Sequence, residues 1–154
     1  MSNLSFLSKL LERVVQTRLQ AFLDTNGLMP EMQSAYRRHH STETAVMKVY
    51  NDLLSAADNG QLSALCLLNL TAAFDTVDHE LLLSRLERQF SLCDSILHWF
   101  RSYVGDRSFR IVYGAGTSAV VFIVCSVPQG SVLGLLLFVL YVADLVNVVE
   151  KHGL

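Results

Sequence analysis

At 154 residues the chain has room for one domain or for a piece of a larger one. It is 51% hydrophobic and 17% charged with a net charge of −2, which excludes a disordered chain and gives no overall basic pull toward nucleic acid. The charged fraction is below the typical quarter, as though some apolar faces lacked their partner elements.

Leu4, Leu7, Leu11, Val14, Val15, Leu19 and Phe22 recur at helical spacing, and Gly27 follows as a stop. The pattern predicts an amphipathic helix from Ser5 to Asn26. LMPEMQSAYRRHH reads as a loop. Ser41 or Thr42 then caps a second helix with a stripe of Ala45, Val46, Val49, Leu53 and Ala57, ended by Asn59-Gly60. Leu62 to Leu70 is short and almost wholly apolar, the pattern of a strand covered on both faces.

A third helix is predicted from Val77 to Phe90 with Asp75 or Thr76 as its N-cap, and a fourth from Asp94 to Val104. Phe109–Tyr113 and Ala119–Cys125 flank the turn GAGTS and read as a hairpin. Pro128-Gln129-Gly130 is a turn before a last helix, Ser131 to Val149. Its uninterrupted apolar stretch, Val132 to Ala143, is shorter than the roughly 18 to 20 residues of a membrane span, so a buried core helix and no membrane contact are expected. Helices and strands mix without a βαβ rhythm, which gives an α+β fold class.

Cys66, Cys93 and Cys125 form no CxxC pair and read as free thiols of a reducing compartment, cytosol or nucleus, with no metal site. The opening MSNLSFLSKLLERVV mixes Lys, Glu and Arg into its apolar residues, unlike a signal peptide. Asp75 and Asp78 suit capping at the start of a helix, and Asp144 a helix end. Trp99, Phe100 and Tyr103 read as core. The run Arg37-Arg38-His39-His40 suits either a solvated basic loop or a phosphate contact.

Two stretches stand out together, LLNLTAAFDTVDH (Leu67 to His79) and SVPQGSVLGLLLF (Ser126 to Phe138), with QSAYRRHHSTETA (Gln33 to Ala45) upstream. In this order and spacing they resemble the reverse transcriptase domain of non-LTR, LINE-type retrotransposons. SNLSFLSKLLERVV, FRSYVGDRSF and LYVADL fit the same resemblance, which covers essentially the whole chain. It implies the fingers (about residues 1–60) and the N-terminal part of a right-hand polymerase palm (about 61–154). It also implies that Asn69 occupies the position of an aspartate that binds catalytic Mg²⁺. Phe74 matches the steric gate against ribonucleotides, and Pro128, Gln129 and Gly130 match the turn lining the incoming-nucleotide pocket. Arg37 falls in the fingers, near template and nucleotide.

Polymerisation uses two metal ions to clamp the attacking oxygen and the phosphates. Mg²⁺ demands hard anionic oxygen. An Asn carboxamide keeps the shape of aspartate and loses its charge. The family's Tyr-x-Asp-Asp hairpin and thumb do not occur before Leu154. The expectation is therefore a degenerate, catalytically inactive fragment of an RNA-directed DNA polymerase with no cofactor of its own, although the family uses Mg²⁺. Arg38 in place of a usual proline, Ser126 in place of a common glycine and Leu135 in place of a common proline fit the same history. Alternatives are a retained module binding nucleic acid or protein, with weak RNA or DNA contact through Arg37, and an incomplete gene model of a polyprotein. Exposed apolar surface and an unpaired sheet edge are expected to promote self-association.

Overall fold

The computed structural model of the chain describes residues 6–30, 32–67, 69–128 and 130–152 and is a mixture of helix and sheet. The chain forms two compact units, one of residues 1–30 with 72–154 and one of residues 31–71.

The buried apolar side chains of the larger unit come mostly from four helices: α1 (Phe6–Thr25), α3 (His79–Arg88), α4 (Asp94–Val104) and α5 (Leu133–Tyr141). α5 is apolar on every side, and Leu133, Leu136, Leu137, Val139 and Leu140 are all buried. A helix of that kind is stable only inside a core. Each such side chain contributes about 1.5–3 kcal/mol. α1 and α3 pack against α5 with Leu19 and Leu23 from the first and Leu82, Leu83 and Leu86 from the second. α4 closes the core with Phe100 and Val104, while Trp99 stacks on Tyr103 at 5.3 Å along its partly buried edge.

Among the described residues of this unit, one charged group is buried. Glu12 of α1 is 2% exposed. Its Oε1 accepts from the Tyr103 hydroxyl at 3.0 Å, and its Oε2 accepts from the Val132 amide at 2.6 Å, just before α5. The carboxylate thus ties α1 to α4 and satisfies an orphan donor at a helix start. Burial, first of all, and the facing carboxylate push the Tyr103 phenol well above its ordinary range, so it stays a donor.

The sheet is a hairpin in two short ladders. β1 (Arg107–Phe109) pairs antiparallel with β4 (Val121–Ile123), placing Ser108 opposite Phe122. β2 (Val112–Tyr113) pairs with β3 (Gly116–Thr117) around Gly114, whose φ of 57° suits a tight hairpin turn. Val112, Tyr113, Val121 and Phe122 are exposed.

In the smaller unit residues 32–41 lead as a loop into α2 (Thr42–Asp58), started by a capping box. Ser41 Oγ accepts from the Thr44 amide at 3.2 Å, and Thr44 Oγ1 accepts from the Ser41 amide at 2.9 Å. No residue of α2 is buried.

Several sequence expectations need correction. Among its described residues, the stripe read along α1 is buried only at Leu19, whereas Leu7, Leu11, Val14 and Phe22 are exposed and Glu12 and Leu23 are buried. The hairpin turn is tighter than GAGTS, since Gly116–Thr117 already pairs as β3. Leu62 to Leu70 forms no strand among its described residues, and Leu62, Leu65, Leu67 and Leu70 are exposed. An apolar run becomes a core strand only with neighbours to share its ladder and cover its faces. Among the described residues of the smaller unit, α2 is the one regular element, so neither is supplied. The third helix begins at His79, and its cap is Asp78, whose Oδ1 accepts from the Leu81 amide at 2.7 Å. Asp75 and Thr76 lie instead in a single 3-10 turn, Ala73–Thr76.

The last helix is two helices, α5 and α6 (Leu145–Lys151), around a turn at 142–144. Residues 133–151 together are long and apolar enough to cross a membrane by length and composition. Asp144 sits at the N-terminal end of α6, where a carboxylate is favoured, and lies 3.6 Å from Arg85. The remaining helices start and stop within a residue or so of their predicted bounds.

Glu12→Ala would leave two donors without their acceptor and is expected to cost about 3 kcal/mol. Glu12→Gln, which keeps one carbonyl acceptor, should cost about half as much. Urea denaturation reads both as a lower midpoint at constant slope. An unchanged midpoint in Glu12→Ala would show that the bracket contributes nothing.

Candidate functional site

The segment from Ala72 to His79 is shaped by its own short-range bonds. Ala72 adopts a left-handed φ of 52°, the Asp75 amide donates to the Ala72 carbonyl at 2.8 Å, and Thr76 Oγ1 donates to the Ala73 carbonyl at 2.9 Å. The chain then turns at buried Val77 into α3.

This segment is laced to a distant one. The Val127 amide donates to the Phe74 carbonyl at 3.0 Å, and the Ser126 amide donates to the Val77 carbonyl at 2.8 Å. His79 Nε2 donates to the Ser126 carbonyl at 2.8 Å, and Asp78 forms an isolated antiparallel bridge with Cys125. Pro128 is buried, and Ser131 Oγ then accepts from the Gly134 amide at 2.8 Å as the chain enters α5. The ladder contacts bring together two motifs separated by nearly fifty residues.

Between them lies an open cleft of about 250 Å³ lined by Phe74, Pro128, Gly130, Ser131, Gly134 and Leu135. The Phe74 ring meets Phe138 at 4.9 Å with planes tilted by 56°. Gly130 has a φ of 75°, which a residue with a side chain adopts only under strain. Among the described residues the lining is apolar apart from one hydroxyl and the turn backbone, and it carries no carboxylate. Such a surface suits a flat or apolar body with a few backbone contacts. It offers no anionic oxygen ligand for Mg²⁺. Among the described residues, no three His, Cys, Asp or Glu side chains gather into a metal-binding group.

Residues 1–153 match the family model of reverse transcriptase (RNA-dependent DNA polymerase). The chain belongs to the reverse transcriptase family. It is 33% identical over 144 residues to the probable RNA-directed DNA polymerase from transposon BS of Drosophila melanogaster, which covers 94% of this chain and 16% of that protein. It is 32% identical over 153 residues to the RNA-directed DNA polymerase from mobile element jockey of Drosophila funebris, covering 99% of this chain and 16% of that protein. The chain thus spans 16% of the length of these relatives. They place it with the reverse transcriptases of non-LTR retrotransposons. No solved structure matches it significantly.

Of the residues singled out in this reverse transcriptase sequence, Phe74 and Gly130 come together at the cleft, with Pro128 between them in the lining. Gln129 lies outside the described residues. Asn69 is exposed on a coil of the smaller unit. Arg37, also in that unit, is half-buried in a loop where Tyr36 and His39 both take left-handed φ values. Its Nη1 donates to the Gln33 carbonyl at 3.5 Å. Sequence reasoning missed Ser131, Gly134 and His79. The Ser131–Gly134 spacing of three is a cap-like signal that was readable. His79 carried none, because its partner lies 47 residues away.

A Cβ at Gly134 would stand 2.5 Å from Ser131 Oγ and 3.1 Å from the Pro128 carbonyl oxygen. In an ordinary helix interior alanine is favoured over glycine by about 1 kcal/mol. Here Gly134→Ala should instead destabilise by about 1–3 kcal/mol, because the clash displaces the turn that lines the cleft. Thermal denaturation decides by sign, and a raised Tm would contradict the packing described.

Proposed function

We propose that this chain is the nucleotide-receiving part of a non-LTR retrotransposon reverse transcriptase, fingers and first half of a right-hand palm, and that it is catalytically silent. The observation that carries the first half is the meeting of Phe74, Pro128 and Gly130 in one cleft. These are residues whose resemblance-based roles belong to a single bound nucleotide. In that reading Phe74 is the wall that a 2′-hydroxyl would strike, and the turn at 128–130 lies under the base and sugar.

The silence follows from charge at residue 69. The aspartate of active relatives supplies an anionic oxygen to Mg²⁺, whereas the Asn69 carboxamide is neutral, so the ion would exchange its water for a much weaker ligand. Among the described residues that line the cleft there is no carboxylate to compensate. Asp78 is committed to capping α3. The donor set does not fit a catalytic Mg²⁺ site, and no polymerisation step is assigned to these residues.

Assayed at whatever length the cell makes it, the unmodified protein should give no primer extension in Mg²⁺. Asn69→Asp should tighten Mn²⁺ binding, read by paramagnetic relaxation, by about tenfold or more, equivalent to about 1.4 kcal/mol. Primer extension by the unmodified protein would refute the silence, and Mn²⁺ affinity unchanged by Asn69→Asp would remove residue 69 as its cause.

A further inference from the structure

Ser126 has a φ of 108°, well inside the region that side-chain-bearing residues avoid. A non-glycine residue stays there only when its surroundings over-determine it. Here both polar groups of its backbone are committed: the amide donates to the Val77 carbonyl, and the carbonyl accepts from His79 Nε2, each at 2.8 Å. The carbonyl oxygen can only accept, so Nε2 must carry the hydrogen, as it does in the imidazolium and in one neutral tautomer. His79 is the first residue of α3 and is half-buried, so its ring is placed by the helix that Asp78 caps. The residue after Ser126 donates to the Phe74 carbonyl, and Pro128 follows in the wall of the cleft.

We propose that His79 is a positioning residue for the cleft. Its imidazole holds the Ser126 peptide in a left-handed conformation that serine resists, and thereby fixes the Pro128–Gly130 turn against Phe74. The clamp and the strain oppose one another at one peptide. Removing the clamp lets the junction between residues 72–79 and 125–128 open, and removing the strain lets it stay closed without the clamp. A glycine at 126 should therefore suppress the loss of His79. A histidine that merely filled space would show no such dependence on residue 126. What the clamp serves rests on the nucleotide reading of the cleft, but its existence is tested without nucleotide.

Cys125 reports on this junction, since it is partly covered and bridges to Asp78, whereas Cys66 and Cys93 are exposed. In a Cys66→Ser, Cys93→Ser background, the rate at which an aromatic disulfide reagent labels Cys125 measures opening. His79→Leu should accelerate labelling about tenfold or more, for a clamp of this kind lost at a strained peptide. His79→Gln, whose amide nitrogen can still donate, should stay near the parent rate. Adding Ser126→Gly to His79→Leu should return labelling toward the parent rate, and Ser126→Gly alone should slow it below. Should His79→Leu fail to fold, the Gln and Gly variants still decide the matter. The proposal is overturned if Ser126→Gly alone speeds labelling, or if glycine fails to slow labelling in His79→Leu. It is equally overturned if His79→Gln opens the junction as fully as His79→Leu. Altered nucleotide binding with unaltered labelling would count against the clamp and leave the nucleotide reading standing.

Discussion

The Ser126 and Val127 amides, donating to the carbonyls of Val77 and Phe74, join two stretches of chain that share no regular sheet. Every feature of the candidate site depends on that junction. It places Phe74, whose ring meets Phe138, in the lining of the cleft together with Pro128 and Gly130. A few residues on, Glu12 takes the Val132 amide from the other side, so the turn is gripped at both ends before α5 begins. The grip is made of buried or half-buried polar groups, which reward complete pairing and penalise its loss. The core beneath, built on an all-apolar α5, supplies most of the stability but little of the positioning.

On the proposed function, this frame has lost its metal chemistry and kept its shape. Shape complementarity to a nucleotide survives substitution of single residues, since it is spread over backbone and rings. Metal binding does not, because it rests on a very few charges. In the function proposed above, a reverse transcriptase sequence keeps its pocket after a catalytic charge is gone. Phe74 with the turn at 128–130 and the amide of Asn69 are the two sides of that contrast.

Much of the helical part was legible because caps and period act locally. The cap at Ser41 and the stop at Asn59-Gly60 depend only on neighbours within a turn, and so does the helical period of α1, but not which of its faces is covered: Leu7, Leu11, Val14 and Phe22 of its stripe are exposed, while Glu12 and Leu23 are buried. Where several residues could cap, as Asp75, Thr76 and Asp78 all could, local rules misplaced the start of α3. The run from Leu62 to Leu70 misled for a different reason. Its pattern specifies a strand only if other strands cover it, and covering is a tertiary fact. The break at 142–144 was foreshadowed by Asp144 alone, within a run apolar enough to continue. At the site, Phe74 and Gly130 were found through family resemblance. Ser126 drew notice as a departure from glycine, and its φ of 108° gives that departure a physical meaning. The bond from His79 across 47 residues had no sequence signature at all.

The exposed strands of the hairpin and the uncovered stripe of α2 leave apolar surface on each unit, which agrees with a composition richer in apolar residues than an ordinary soluble domain. The candidate site stands or falls with the junction inside the larger unit, and amide hydrogen exchange at Ser126 and Val127 tests that junction most directly. Protection on the order of a thousandfold or more, approaching that of α5, is the predicted result. Exchange of either amide within about tenfold of an unstructured peptide would mean that the junction does not hold, and the site built upon it would fall with it.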